Sequence, residues 1–242
     1  DARPRVRPEQ VGLDLVSATP NVMPSAGGRI LMTLCDGGFQ YMLAGARTNV
    51  AVKAGRYMFE VKMVEILNPP EESGGHRGKS APPQRHTVRV GVSFGSEPLV
   101  SVLDESPNKV FFDSEGNFVH KRFKTKVAQR FLREQVMGIV LNLDPSSPNG
   151  NTVSLFRDGV RASEPQKLPP SFAGQALHPT VTYRNVTLQL NLGPKPRKPL
   201  PFKCRMLQDA AAEDVELAAA PPGAGKPEVL FPVGLPDHGV FD

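Results

Sequence analysis

The feature that most constrains this chain is a two-residue rhythm of apolar side chains in four separate stretches. Tyr57, Phe59, Val61 and Met63 are set against Glu60 and Lys62. Val88, Val90, Val92 and Phe94 alternate with Thr87, Arg89, Gly91 and Ser93. Met137, Ile139, Leu141 and Leu143 form a third row, and Val186, Leu188, Leu190 and Leu192 a fourth. A period of two puts one row on a buried face and the other toward solvent. Half-buried strands of that kind build antiparallel sheets, and two such sheets must cover each other's apolar faces. The pattern predicts an all-β protein, a two-sheet antiparallel β-sandwich over residues 11–193.

The breaks between the rows agree with that reading. The 242 residues include 25 Pro and 22 Gly, above ordinary usage of about 5% and 7%, scattered as turn punctuation. Asp158-Gly159 after Val153–Arg157 favours φ > 0 and predicts a tight hairpin. Residues 67–86 and 144–151 are polar loops, the first read as a flexible insertion. Residues 1–10 form a basic, Pro-punctuated lead-in, expected to be extended or disordered. Beyond the sandwich, residues 194–227 form an irregular extension. Pro194–Pro199 is a basic, polyproline-like strap, Leu207–Ala220 has a composition that allows a short helix, and Pro221–Gly225 reads as linker. Glu228–Val233 reads as one more strand.

A net charge of +5 and a pI of about 9.3 permit contact with nucleic acid or an acidic partner without demanding it. Cys35 and Cys204 have no zinc-like spacing; the two readings are one disulfide or, as expected here, two free thiols of a reducing compartment. The sequence starts at Asp1, with no signal peptide and no apolar run near 18 residues. A piece of a longer, soluble, intracellular protein is expected. None of His76, His86, His120, His178 and His238 has metal-ligand spacing, and no nucleophile motif occurs. No catalytic residue, metal or cofactor is expected.

Five motifs in order resemble the SPRY domain family. Gly55-Arg-Tyr-Met-Phe-Glu-Val-Lys62 is similar to its opening strand, and Arg89-Val-Gly-Val-Ser93 to its Arg-Val-Gly-Trp-Ser strand. Gln135-Val-Met-Gly-Ile-Val-Leu-Asn-Leu143 and Val153–Gly159 resemble the next two. Ala176-Leu-His-Pro-Thr-Val181 with Val186-Thr-Leu-Gln-Leu-Asn-Leu-Gly193 resembles the closing pair. The resemblance implies a concanavalin-like jelly roll that binds proteins or peptides through loops at one end. This chain has no Trp, and Val92 holds the usual Trp position, so the core there must be repacked. Ala44-Gly-Ala-Arg-Thr48 resembles more narrowly the heterogeneous nuclear ribonucleoprotein U (scaffold attachment factor A) family. In that family a Pro-rich strap leads to a P-loop kinase-like domain. Glu228–Gly239 is similar to the start of that domain, but Val240 and Phe241 stand where Lys and Ser/Thr must hold phosphate and Mg²⁺. A nucleotide site is therefore not expected.

The resemblance nominates loops around 38–48, 96–108, 112–117 and 161–175, with Tyr41, Arg47 and Asp113 as contacts. Each has a plainer reading: Tyr41 as core, Arg47 as locally paired, Asp113 as a turn cap. Lys121-Arg-Phe-Lys-Thr-Lys126, extended by Arg130 and Arg133, interleaves Phe123 and Phe131. Such a run either grips phosphates while an aromatic stacks on a base or is a solvated loop whose two Phe are core. Arg3, Arg5, Arg7 and Lys195, Arg197, Lys198 either widen a basic surface, serve nuclear import or solubilise the flanks. The expected function is a non-catalytic interaction module of a ribonucleoprotein-U-like protein, in RNA-associated or nuclear scaffolding. The alternatives are a generic peptide-recognition module of a ubiquitin-ligase adaptor or chromatin-complex subunit, and a residual nucleotide-binding enzyme.

Overall fold

The computed structural model describes residues 2–35, 38–67, 86–100 and 106–218. All but the two end residues of the 67–86 insertion, and the P-loop-like segment at 228–242, therefore lie outside the described residues. No α-helix occurs among the described residues. In chain order the first strands are β1 (Leu13–Asp14), β2 (Val22–Ser25), β3 (Ile30–Thr33), β4 (Ala44–Thr48), β5 (Val50–Val52) and β6 (Arg56–Ile66). Next come β7 (Thr87–Ser93), β8 (Lys109–Asp113), β9 (Asn117–His120), β10 (Phe123–Lys126), β11 (Val136–Asn142) and β12 (Thr152–Arg157). The last are β13 (Val160–Arg161), β14 (Gln166–Lys167), β15 (His178–Arg184), β16 (Val186–Asn191), β17 (Arg205–Met206) and β18 (Val215–Leu217).

These strands form two facing sheets and a small ribbon. A seven-stranded sheet runs β1-β4-β15-β7-β8-β9-β10, and β10 is its edge. A nine-stranded sheet runs β13-β12-β11-β6-β16-β3-β2, with β14 beside β12 and β17 beside β6. Pairing is antiparallel except for β17, which lies parallel to the start of β6. β18 pairs with β5 as a two-stranded ribbon.

All four sequence rows point inward. Tyr57, Phe59, Val61 and Met63 of β6 lie in one buried cluster with Val88, Val90 and Val92 of β7. Met137, Ile139 and Leu141 of β11 and Val186, Leu188 and Leu190 of β16 belong to the same cluster. Burying side chains of this size contributes roughly 1.5–3 kcal/mol each, which pins the register because a one-residue slip would turn a whole row to solvent. The Asp158-Gly159 hairpin forms as the sequence predicts, joining β12 to β13 with φ +50° and +85°.

The outer face of the nine-stranded sheet departs from the sequence reading. Glu60, opposite the buried row and expected in solvent, is only 1% exposed. The strap covers it. The backbone N–H groups of Arg197 and Lys198 donate to its carboxylate at 2.7 and 3.1 Å, and Asn191 Nδ2 donates at 2.7 Å. A buried carboxylate is tolerable only with donors of this kind. Beside it Met58, Val140, Phe156 and Met206 form a second apolar cluster, capped by Leu200, Phe202 and Cys204, which follow the strap. Phe202 stacks edge-on against Phe156 at 5.6 Å.

The basic lead-in is fastened rather than loose. Val6 is buried, its N–H donates to Ala210 O at 3.0 Å, and Ala212 N–H donates to Pro4 O at 2.9 Å. Arg3 pairs with Glu213 at 2.6 Å and Asp214 at 3.0 Å, and Arg5 pairs with Asp209. The cations of one segment match the acids of the other. The same pairing explains why 207–220 does not hold a helix where it is described. Its backbone groups bond the lead-in and β5, leaving only 3-10 turns at Leu207–Asp209 and Ala212–Asp214 before β18. Tyr57 closes the joint: its hydroxyl donates to Asp214 Oδ2 at 2.6 Å and accepts from Ala211 N–H at 3.0 Å.

Candidate functional site

The outer face of the seven-stranded sheet carries the candidate site. Alternation on β7 and β15 sends Val88, Val90, Val181 and Tyr183 into the core, and therefore sends Arg89, Thr182 and Arg184 outward. The register places Thr182 opposite Arg89 and Arg184 opposite Thr87, so the two guanidinium groups share one end of the sheet. The 3-10 turn Phe39–Tyr41 delivers Tyr41, 45% exposed, and Met42, 52% exposed, to the same end. Arg184 Nη1 donates to Tyr41 O at 3.2 Å and ties the turn to the sheet.

Between these elements lies a groove of about 470 Å³, lined by Pro20, Tyr41, Met42 and Val100 together with Arg89 and Arg184. Burial first, and then the neighbouring Arg89 charge, holds the Arg184 guanidinium below the ordinary arginine value. Arg89 also lies over the Phe111 ring, 5.2 Å from its centroid, so both cations are held by the sheet and the turn at this end. Asn21 also lines the groove. It is buried, its Oδ1 accepts from Thr19 Oγ1 at 2.7 Å, and its Nδ2 has no hydrogen-bond partner among the described residues. The groove therefore combines apolar contact area with positive charge.

Of the three residues nominated from sequence, only Tyr41 faces this groove. Arg47 is 5% exposed and donates to Phe94 O at 2.8 Å and to Gly95 O and Glu97 O. It staples the 94–97 loop onto the sheet, because a buried guanidinium must find acceptors. Burial holds its pKa below the ordinary arginine value. Asp113 is buried in the β8–β9 turn and accepts from Glu115 N–H at 3.0 Å and Asn117 N–H at 2.9 Å. Both are local supports of loops. The sequence reading missed Arg89 and Arg184, whose only signal was their place in the polar row of two alternating strands.

The six nominated basic residues lie on the β9–β10 hairpin and on the segment that follows it, and Lys126 and Arg130 both contact Glu115. Lys121 and Arg122 make the turn between β9 and β10, and Lys124 and Lys126 lie on β10, every residue of which is exposed. Lys126 Nζ donates to Glu115 O. Arg130 pairs with Glu115 at 3.4 Å, and Arg133 Nε donates to Val64 O at 2.9 Å, next to the other sheet. The two phenylalanines divide as well: Phe131 is core, while Phe123 is 79% exposed.

No group of three or more His, Cys, Asp or Glu able to hold a metal occurs among the described residues. Cys35 and Cys204 are free thiols, and burial pushes the Cys204 thiol up to about 12. Among the described residues no helix is long and apolar enough to cross a membrane.

No protein-family model matches this sequence. Solved structures do resemble it in their two-sheet sandwich. The SPRY domain of human HERC1 superposes with a TM-score of 0.51 at 16% identity, covering 74% of this chain and 97% of that one. The PSpry domain of TRIM65 superposes with a TM-score of 0.51 at 16% identity, covering 74% and 88%. The chain has the SPRY fold.

Proposed function

We propose that this chain is a non-catalytic protein-interaction module that seats a peptide in the groove between Tyr41–Leu43 and Arg184. The peptide carries an apolar side chain next to an acidic one. The observation behind this reading is the groove itself: exposed Tyr41 and Met42 lie beside Arg89 and Arg184 on a packed sheet. Rigid aromatic anchors near arginines are the side chains that dominate interface energy. Tyr41 and Met42 supply the apolar contact, and Arg89 and Arg184 select the acid. Arg47 and Asp113 hold the neighbouring loops in place.

Selection from a displayed random-peptide library tests this reading. Recovered peptides should pair an acidic residue with an aromatic or aliphatic one. Tyr41→Ala should weaken them at least tenfold, or roughly 1.4 kcal/mol. Peptides that bind Tyr41→Ala as well as the parent would place the site elsewhere.

The finer reading is a nuclear, RNA-associated scaffold similar to the ribonucleoprotein U family. It is supported by the Ala44–Thr48 motif, which forms β4, with β5 between it and the Gly55 strand β6. The alternative of a ubiquitin-ligase adaptor or chromatin-complex subunit uses the same groove and leaves the basic hairpin without a role.

A further inference from the structure

The β9–β10 hairpin is joined by two residues, Lys121 and Arg122, since His120 pairs with Phe123. Both have positive φ, +48° and +69°. Asn-Gly or Asp-Gly is the usual choice for such a turn, because a side chain with a Cβ is strained in the left-handed region. This chain places two long cations there instead. The next residue, Phe123, is 79% exposed. Lys124 and Lys126 follow on one side of β10, about 6.7 Å apart, with Phe123 and Thr125 on the other. From Asn117 to Lys126 the sequence contains no acid. Among the described residues no ion pair reaches Lys121 or Lys124.

Lysines on an edge strand are a common guard against edge-to-edge aggregation, and that would explain Lys124 and Lys126. It does not explain a bare phenylalanine at the tip of the same edge. Nor does it explain a strained turn where an unstrained dipeptide would serve.

We propose that this hairpin tip binds single-stranded nucleic acid, with Lys121, Arg122, Lys124 and Lys126 on the phosphates and Phe123 stacked on an exposed base. Single strands are favoured over duplex because stacking on Phe123 needs an unpaired base. An acidic protein would satisfy the cations but gives no reason for an aromatic among them. The tip is three strands away from the Tyr41 groove in sheet order, so one chain could hold both ligands, and this proposal does not depend on the peptide reading.

Fluorescence anisotropy of this chain with labelled 20-nucleotide oligouridine and oligothymidine tests it. Neutralising four phosphates of a single strand gives a salt slope of about −2.8, so raising monovalent salt from about 50 to about 200 mM should weaken binding roughly 50-fold. Phe123→Ala should weaken it about tenfold. The pair Lys121→Asn with Arg122→Gly should weaken binding and lower the slope while leaving the protein folded, because it installs the turn's preferred residues. Preference for uridine or thymidine identifies the source of the strand, and binding of either supports the site. No binding near 50 mM salt overturns the proposal. So does binding that ignores Phe123→Ala, equal affinity for a matched duplex, or equal competition by polyglutamate of the same charge.

Discussion

Two hairpins of this sandwich share a backbone conformation and have opposite sequences. β12 turns into β13 through Asp158-Gly159, with φ +50° and +85°, and β9 turns into β10 through Lys121-Arg122, with φ +48° and +69°. At the first turn each residue follows from the fold. Asp158 Oδ1 accepts Val136 N–H at 3.0 Å, and a Cβ on Gly159 would lie 2.5 Å from Pro199 O of the strap. At the second, two residues with Cβ atoms occupy a region that costs roughly 1–2 kcal/mol each, beside an exposed phenylalanine. The first turn is shaped by what it touches inside the molecule. The second departs from the turn's preferred Asn-Gly, and we assign that departure to the proposed nucleic-acid contact.

Substitutions can break or sharpen that contrast. The largest effect is expected for Gly159→Ala, which combines a left-handed φ with a backbone clash. It should cost about 3 kcal/mol in denaturant unfolding, and a cost below about 0.5 kcal/mol would mean that the strap does not constrain the turn. Asp158→Ala should cost about 1 kcal/mol by removing the acceptor of Val136 N–H, measured the same way. Phe123→Ala, by contrast, should change stability by less than about 0.5 kcal/mol, as at other exposed positions. A larger loss would assign Phe123 to the fold.

The smallest effect is a titration. Burial, and then the Lys121 charge, hold the His120 imidazole below its ordinary value, against the raising effect of its hydrogen bond with Pro107 O. A histidine whose folded pKa is depressed contributes stability above its unfolded value near 6.5, and that contribution is lost as pH falls through the folded value. Lys121→Asn should therefore raise the His120 pKa measured by NMR. An unchanged value would mean that Lys121 stands away from the turn it forms.

The sequence shows the sandwich because period two is local: each of the four inward rows can be read within one strand. Asp158-Gly159 is legible for the same reason, since the dipeptide itself prefers its turn. Lys121-Arg122 is not, because nothing in that pair favours positive φ, so the stretch reads as a charge run rather than as a hairpin tip. Glu60 reads as solvent-facing because the strap that buries it comes some 137 residues later. The lead-in reads as loose because its partners lie more than 200 residues away. In the groove, Tyr41 could be nominated from its loop. Arg89 and Arg184 could not, since their proximity depends on the register of β7 against β15. Local patterns give faces of strands, and the sites arise where distant faces meet.

The most direct test of the claim that the Lys121-Arg122 tip is kept for a partner rather than for the fold is the thermal unfolding of the Lys121→Asn/Arg122→Gly double variant. Relief of about 2 kcal/mol of strain should give a higher melting temperature than the parent. An unchanged or lower melting temperature would contradict the claim and return the two cations to the fold.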